Sequence, residues 1–88
     1  KPVLVEVLTA SGCNRCQKAK TLVKGVIAEF NEGDIQYREI NVVEKIDYAV
    51  ELGVLSTPAI ALNGVLVFPA LPSKSKLHQA IKQCLVSE

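Results

Sequence analysis

Eighty-eight residues can bury one modest core and leave no room for a separate cofactor or substrate domain, so one domain spanning residues 1–88 is expected. Ten basic against nine acidic residues leave a net charge of +1, too little to steer the chain onto nucleic acid or an anionic membrane, and neither is expected as a partner. Hydrophobic residues make up 49% of the chain, yet with two Phe, two Tyr and no Trp the core must come from Val, Ile, Leu and Ala. Three cysteines leave one over and so make no disulfide framework, which points to a reducing, cytoplasmic compartment. Lys1 is not a natural start, so a short upstream piece is expected. Nothing visible has the basic, apolar, small-residue order of a signal peptide, which leaves open a signal already removed.

Val3 to Leu8 is a nearly continuous apolar run rich in β-branched residues, the pattern of a central strand covered on both faces. From Cys13 to Glu32 the apolar residues fall at Cys16, Ala19, Val23, Val26, Ile27 and Phe30, a helical stripe opposed by Lys18, Lys24 and Glu29, with Gly33 as its expected C-terminal cap. Ile35 to Val43 reads as a second strand, interrupted by Arg38 and Glu39. Glu44 to Leu52, with Ile46, Ala49 and Val50 on one side, reads as a short helix that Gly53 ends. Ala59 to Leu62 and Val65 to Phe68 flank Asn63-Gly64, a two-residue turn suited to a tight antiparallel hairpin. After Pro69 and Pro72, Ser73 can cap a last helix whose stripe is Leu77, Ala80, Ile81, Cys84 and Leu85. The order is βαβαββα, in which the first crossover makes strands one and two parallel and the hairpin extends the sheet on the other side.

The chemistry gathers at the first strand-to-helix junction, Thr9-Ala10-Ser11-Gly12-Cys13-Asn14-Arg15-Cys16-Gln17. Cysteines at i and i+3 in a first helical turn lie on one face with Cα atoms roughly 5 Å apart, inside the window of about 4.4–6.8 Å that a disulfide requires. They can close and open a bond with little backbone movement. The positive end of the helix favours a thiolate, the form that attacks disulfides. An inert bridge is the weaker alternative, because such bridges in small domains usually join distant segments. Gly12 lets the backbone turn into the helix, and Ser11 is either a cap or simply loop. Arg15 is either a solvated arginine or a source of positive potential at the thiolate.

Together, the Cys13-Asn14-Arg15-Cys16 motif after strand one, Thr57-Pro58 before the hairpin and the βαβαββα order resemble a minimal thioredoxin fold over essentially the whole chain. The fold class implied is α/β, a four-stranded mixed sheet with helices on both faces, close to the small single-domain, glutaredoxin-sized thioredoxin-like proteins. The resemblance implies an oxidoreductase that exchanges a Cys13–Cys16 disulfide with dithiols or disulfides of other proteins. Cys13 is then the accessible nucleophile and Cys16 the shielded resolving cysteine. Thr57 and Pro58 would contact substrate, with Pro58 in the cis form beside the cysteines and an extended substrate segment pairing with the main chain there. Gly12 and Arg15 would support the site. No cofactor or metal is implied; the electron donor would be a reductase or glutathione, and the protein a monomer.

The chain departs from thioredoxins at several points. It lacks their Trp and their Gly-Pro pair, and Val7 stands where they hold a buried acid just upstream of the first cysteine. Glu6 should face the other side of the sheet, structural and partly buried or paired at an edge rather than a proton relay. Cys84 reads as a buried small hydrophobe, His78 as a surface residue, and Lys74 and Lys76 as a solvated helix start rather than a site for glutathione or an acidic partner. Two rival functions remain. CxxC after a first strand also occurs in small copper-carrying domains of βαββαβ order, but this chain has no Met beside the pair and expects a helix last. A noncatalytic adaptor on the same fold would show an unreactive Cys13.

Overall fold

The structure, a computed structural model, describes residues 2–31 and 33–86. Its elements are β1 (Val3–Thr9), α1 (Cys16–Ile27), β2 (Ile35–Asn41), α2 (Ile46–Leu52), β3 (Ala59–Leu62), β4 (Val65–Phe68) and α3 (Lys74–Val86), the βαβαββα order expected from the sequence. The sheet order is β2-β1-β3-β4. β1 pairs parallel with β2 and antiparallel with β3, so it is internal, and every residue of it except the half-buried Leu4 is buried. Its continuous apolar run follows from that position, since both faces are covered.

Alternation along β1 divides the core. Val3, Val5 and Val7 face α1 and α3, where Ala19, Val23, Val26, Leu77 and Ile81 complete the larger cluster. Leu8 faces the other way, with Ala49 of α2 and with Ala59 and Ala61 of β3. The hairpin closes as expected: Asn63 and Gly64 both have positive φ, 52° and 80°, the conformation a two-residue turn demands. Asn63 also ties the turn to β1, donating its N–H to Leu4 O at 2.8 Å and accepting the Leu4 N–H on Oδ1 at 2.9 Å. Ser73 caps α3, its Oγ accepting the Lys76 N–H at 3.2 Å. Gly53 ends α2, donating its N–H to Ala49 O at 3.1 Å.

Several local expectations are corrected. α1 begins at Cys16 and ends at Ile27, three residues after and five before the expected bounds Cys13 and Glu32, and Glu32 itself lies outside the described residues. The helix closes through shorter i→i−3 bonds, Glu29 N–H to Val26 O and Phe30 N–H to Ile27 O, so Ala28 rather than Gly33 is the cap. Gly33 instead stands in the turn closed by the Asp34 N–H on Asn31 O. β2 stops at Asn41, because the Asn41 Oδ1 accepts the N–H groups of Val43 and Glu44 and turns the chain. On α2 only Ala49 is buried, while Ile46 and Val50 are exposed: seven residues make too few turns to lay the whole stripe on the sheet. Cys84 is half-buried at the margin of the larger cluster rather than inside it.

Candidate active site

The loop that carries the cysteines leaves β1 at its C-terminal end. Gly12 adopts φ 78°, and the Cys13 N–H reaches back to Ala10 O at 3.3 Å, so the chain reverses sharply before α1 starts. Cys13 therefore precedes the helix rather than lying in its first turn. The helical bonds begin with Ala19 N–H to Arg15 O at 3.0 Å. Arg15 is the N-cap residue in αR conformation; among the described residues no side chain, Ser11 included, caps the helix, and no acid occupies its first turn. Backbone donors of that turn are left for solvent or for a nearby anion.

Cys13 and Cys16 are joined as a disulfide with Cα atoms 5.4 Å apart, as their spacing required. Cys13 is half-buried and Cys16 only 4% exposed, so Cys13 is the more accessible of the two. Arg15 and Asn14 between them are exposed. A cleft of about 370 Å³ opens beside the pair, walled by Thr9, Ser11, Cys13, Cys16, Lys20 and Asn41 among others.

The sheet register brings the second sequence motif to the same end of the molecule. Leu8 pairs with Ala59, so the buried Pro58, one residue earlier, stands beside the end of β1 from which the cysteine loop emerges, with the half-buried Thr57 next to it. The Thr57–Pro58 peptide bond is cis. Thr9 pairs with Asn41 on the other side. The Gly12, Cys13, Arg15 and Cys16 loop and, much later in the chain, Thr57 and Pro58 thus lie at neighbouring strand ends, though Thr57 and Pro58 do not line the cleft beside the cysteines.

Sequence reasoning missed the charged flank of the site. β2 runs in register with β1, so Tyr37, Glu39 and Asn41 lie on the same sheet face as Val5, Val7 and Thr9. Glu39 Oε1 lies 3.5 Å from Lys20 Nζ, its Oε2 accepts the Tyr37 hydroxyl at 2.9 Å, and Lys24 Nζ approaches to 3.7 Å. The hydrogen bond from Tyr37, aided by the two lysines, holds the Glu39 carboxyl below the usual carboxylate range. Burial first, then the hydrogen bond to Glu39 and its charge, push the Tyr37 hydroxyl well above its ordinary value. One signal was available: Lys20 follows Cys16 by one helical turn.

Glu6 is more buried than expected, at 1% exposure, and belongs to an internal strand rather than an edge. It lies on the α2 side of the sheet, where Tyr48 donates its hydroxyl to Oε1 and Arg38 stands 4.0 Å from Oε2. That hydrogen bond is the main reason the Tyr48 hydroxyl is raised to about 12, with burial second. The sheet thus separates Glu6 from the cysteines. His78 stacks on Phe30 and lies 3.4 Å from Glu29, and Lys74 pairs with Glu29 at 3.0 Å, so both are engaged in joining the end of α1 to α3. Among the described residues, no three His, Cys, Asp or Glu side chains are grouped to hold a metal ion, and no helix is long and apolar enough to cross a membrane.

Residues 3–82 match the profile of a thioredoxin domain. The chain is 35% identical over 83 residues to a thioredoxin of Methanocaldococcus jannaschii, covering 94% of this chain and 96% of the relative. It is also 35% identical over 79 residues to a probable thioredoxin of Methanothermobacter thermautotrophicus, covering 90% and 92%. Among solved structures, a mutant thioredoxin of Halobacterium salinarum superposes with a TM-score of 0.76 at 25% identity, covering 94% of this chain and 74% of that one. Oxidised mitochondrial thioredoxin 3 of Saccharomyces cerevisiae, at 22% identity, shares the fold with a TM-score of 0.73, covering 94% and 79%. With its paired cysteines at the end of β1 and these relatives along nearly its whole length, the chain belongs to the thioredoxin domain family.

Proposed function

We propose that Cys13 is the attacking and Cys16 the resolving cysteine of this thiol-disulfide oxidoreductase. The family and the bonded cysteine pair make the protein an enzyme that exchanges disulfides with protein substrates and takes its electrons from a reductase partner. The observation that carries the division of roles is unequal access, with Cys13 half-buried before the helix and Cys16 covered within it. In the reducing direction, the Cys13 thiolate attacks one sulfur of a substrate disulfide, and the other leaves as a thiolate that takes up a proton. The Cys16 thiolate then attacks Cys13 Sγ, breaks the mixed disulfide and releases the second substrate thiol, leaving Cys13–Cys16 oxidised.

In this reading Gly12 sets the turn that presents Cys13, and Arg15 adds positive potential beside it. Thr57 and Pro58 form the wall against which an extended substrate segment lies, since the register sets them beside the end of β1. Residues 1–88 act as one domain and as a monomer, in a reducing, cytoplasmic setting. Glutathione is the alternative electron source to a dedicated reductase.

The decisive experiment is trapping. A Cys16→Ser variant incubated with insulin should accumulate a mixed disulfide on Cys13, identified by mass spectrometry after alkylation, while Cys13→Ser should trap nothing. Trapping on Cys84, or equal alkylation rates for Cys13 and Cys16 in the reduced parent, would reverse or dissolve the assignment.

A further inference from the structure

Resolution of the mixed disulfide requires Cys16 as a thiolate, yet its side chain is only 4% exposed, and burial disfavours the charged form. The free backbone donors of the first helical turn offset part of that cost, and a positive side chain on the same side of the sheet would offset more. The cleft beside the dithiol has one cationic wall residue, Lys20, and no carboxylate. Lys20 follows Cys16 by one turn on the same face of α1, and both residues line the cleft. Its position is held: Glu39 lies 3.5 Å away, and Tyr37 fixes the second Glu39 oxygen at 2.9 Å. Lys24 shares the same carboxylate at 3.7 Å, so two lysines on one acid leave the cluster with a net positive charge.

Among the described residues, no other charged side chain lines the cleft. Arg15 is exposed at the helix cap. Glu6, Arg38 and Tyr48 lie on the α2 side of the sheet, and Glu29, Lys74 and His78 gather beyond the C-terminal end of α1. β1 contributes only Thr9 to the cleft and α1 otherwise Gln17, both uncharged.

We propose that Lys20, oriented by Glu39 and Tyr37, is the charge that stabilises Cys16 as a thiolate and so governs the resolving step rather than the first attack. This rests on the reading in which Cys13 attacks and Cys16 resolves. The Cys16 thiol gives its proton to cleft water, and its thiolate attacks Cys13 Sγ. The Cys13–Cys16 bond forms as the bond to substrate breaks, and the departing thiolate is protonated from solvent. Lys20 is a positioning residue that acts through its field.

The test compares parent, Lys20→Met, Lys20→Gln and Lys20→Arg. On a Cys13→Ser, Cys84→Ala background, ultraviolet thiolate absorbance against pH reads Cys16 alone. Removing the charge should raise its midpoint by about one pH unit and, with both cysteines present, slow resolution of a preformed insulin mixed disulfide about tenfold near neutral pH. Lys20→Arg should recover most of both, and Cys13 alkylation should keep its rate in all three. A Lys20→Met and a Lys20→Gln protein with native circular dichroism and the parent midpoint and rate would overturn the proposal. If Cys16→Ser fails to trap insulin on Cys13, the assignment of roles falls and this inference with it. If it traps and the Lys20 variants resolve normally, only the role of Lys20 falls.

Discussion

On the face covered by α1 and α3, Val3, Val5, Val7, Ile60 and Leu62 meet Ala19, Val23, Val26, Leu77 and Ile81, whereas on the face covered by α2 the buried cluster is Leu8, Ala59, Ala61 and Ala49, with Ile40, Val42, Leu52, Val54 and Leu66 partly buried around it. Large branched side chains interlock on the first face. The buried positions of the second are mostly alanine, its larger side chains apart from Leu8 are only partly buried, and Glu6 is buried within it, held by Tyr48 and faced by Arg38. Apolar burial stabilises α1 and α3 in proportion to area, and the dithiol rests on that better-packed side. α2, with Ile46 and Val50 exposed, depends more on one polar contact. The contrast teaches that the fold concentrates its packing where the cysteine loop must be held, and anchors the opposite helix by a directional bond.

The largest expected effect tests the packed face. Leu77→Ala removes a fully buried side chain and should cost about 2–5 kcal/mol, read as a fall in urea midpoint at unchanged slope. Val50→Ala on α2 should stay within about 0.5 kcal/mol, since Val50 is exposed. Equal losses at the two sites would break the comparison.

Next in size is the polar anchor. Tyr48→Phe leaves the buried Glu6 carboxylate without its hydroxyl donor and should cost about 1–3 kcal/mol. It should also change the alkaline limb of the stability profile. Because folding raises the Tyr48 hydroxyl from 10.0 to about 12, its contribution is complete below pH 10.0 and is lost as pH rises toward about 12. The difference in melting temperature between parent and Tyr48→Phe should therefore shrink across that interval. A constant difference would mean that Tyr48 acts through packing alone.

An acid-side counterpart involves Glu39. Its carboxyl is held below the ordinary 4.5, so its contribution is present above that value and disappears as pH falls through the depressed one. Glu39→Gln should lose less stability than the parent between neutral pH and strong acid, and parallel melting curves would remove Glu39 from the linkage. The smallest effect is expected of Cys84→Ala, at the half-buried margin of the packed face: under about 1 kcal/mol, with insulin reduction intact. A large loss of activity without unfolding would give Cys84 a place in the chemistry.

Local signals were legible wherever neighbouring residues decide the outcome. Asn63-Gly64 specified the hairpin because few residues tolerate positive φ, Ser73 and Gly53 marked helix ends through their own hydrogen bonds, and the cysteine spacing placed two sulfurs within bonding reach. Thr57-Pro58 was legible through family resemblance, and the register of β3 on β1 then set it beside the cysteine loop. Gly33 misled because α1 closed early through i→i−3 bonds, which no single residue type announces.

By itself, then, the sequence determined the element order, the turn, the apolar stripes and the reactive pair, all of which rest on backbone preference and periodicity over short spans. The apolar run of β1 also announced a central strand, but only the tertiary structure decided what lay beside what. An internal β1 buried Glu6, and parallel pairing set Glu39 next to Val7 and so brought a charged pair to the flank of Cys16. A register shift between Ile60 and Ala61 leaves Val67 as an extra residue, sending Phe68 to the larger core while Leu66 packs on the α2 side, although alternation alone would put both on one face. Register and burial are sums over distant segments, and the energy that selects them does not exist until those segments meet.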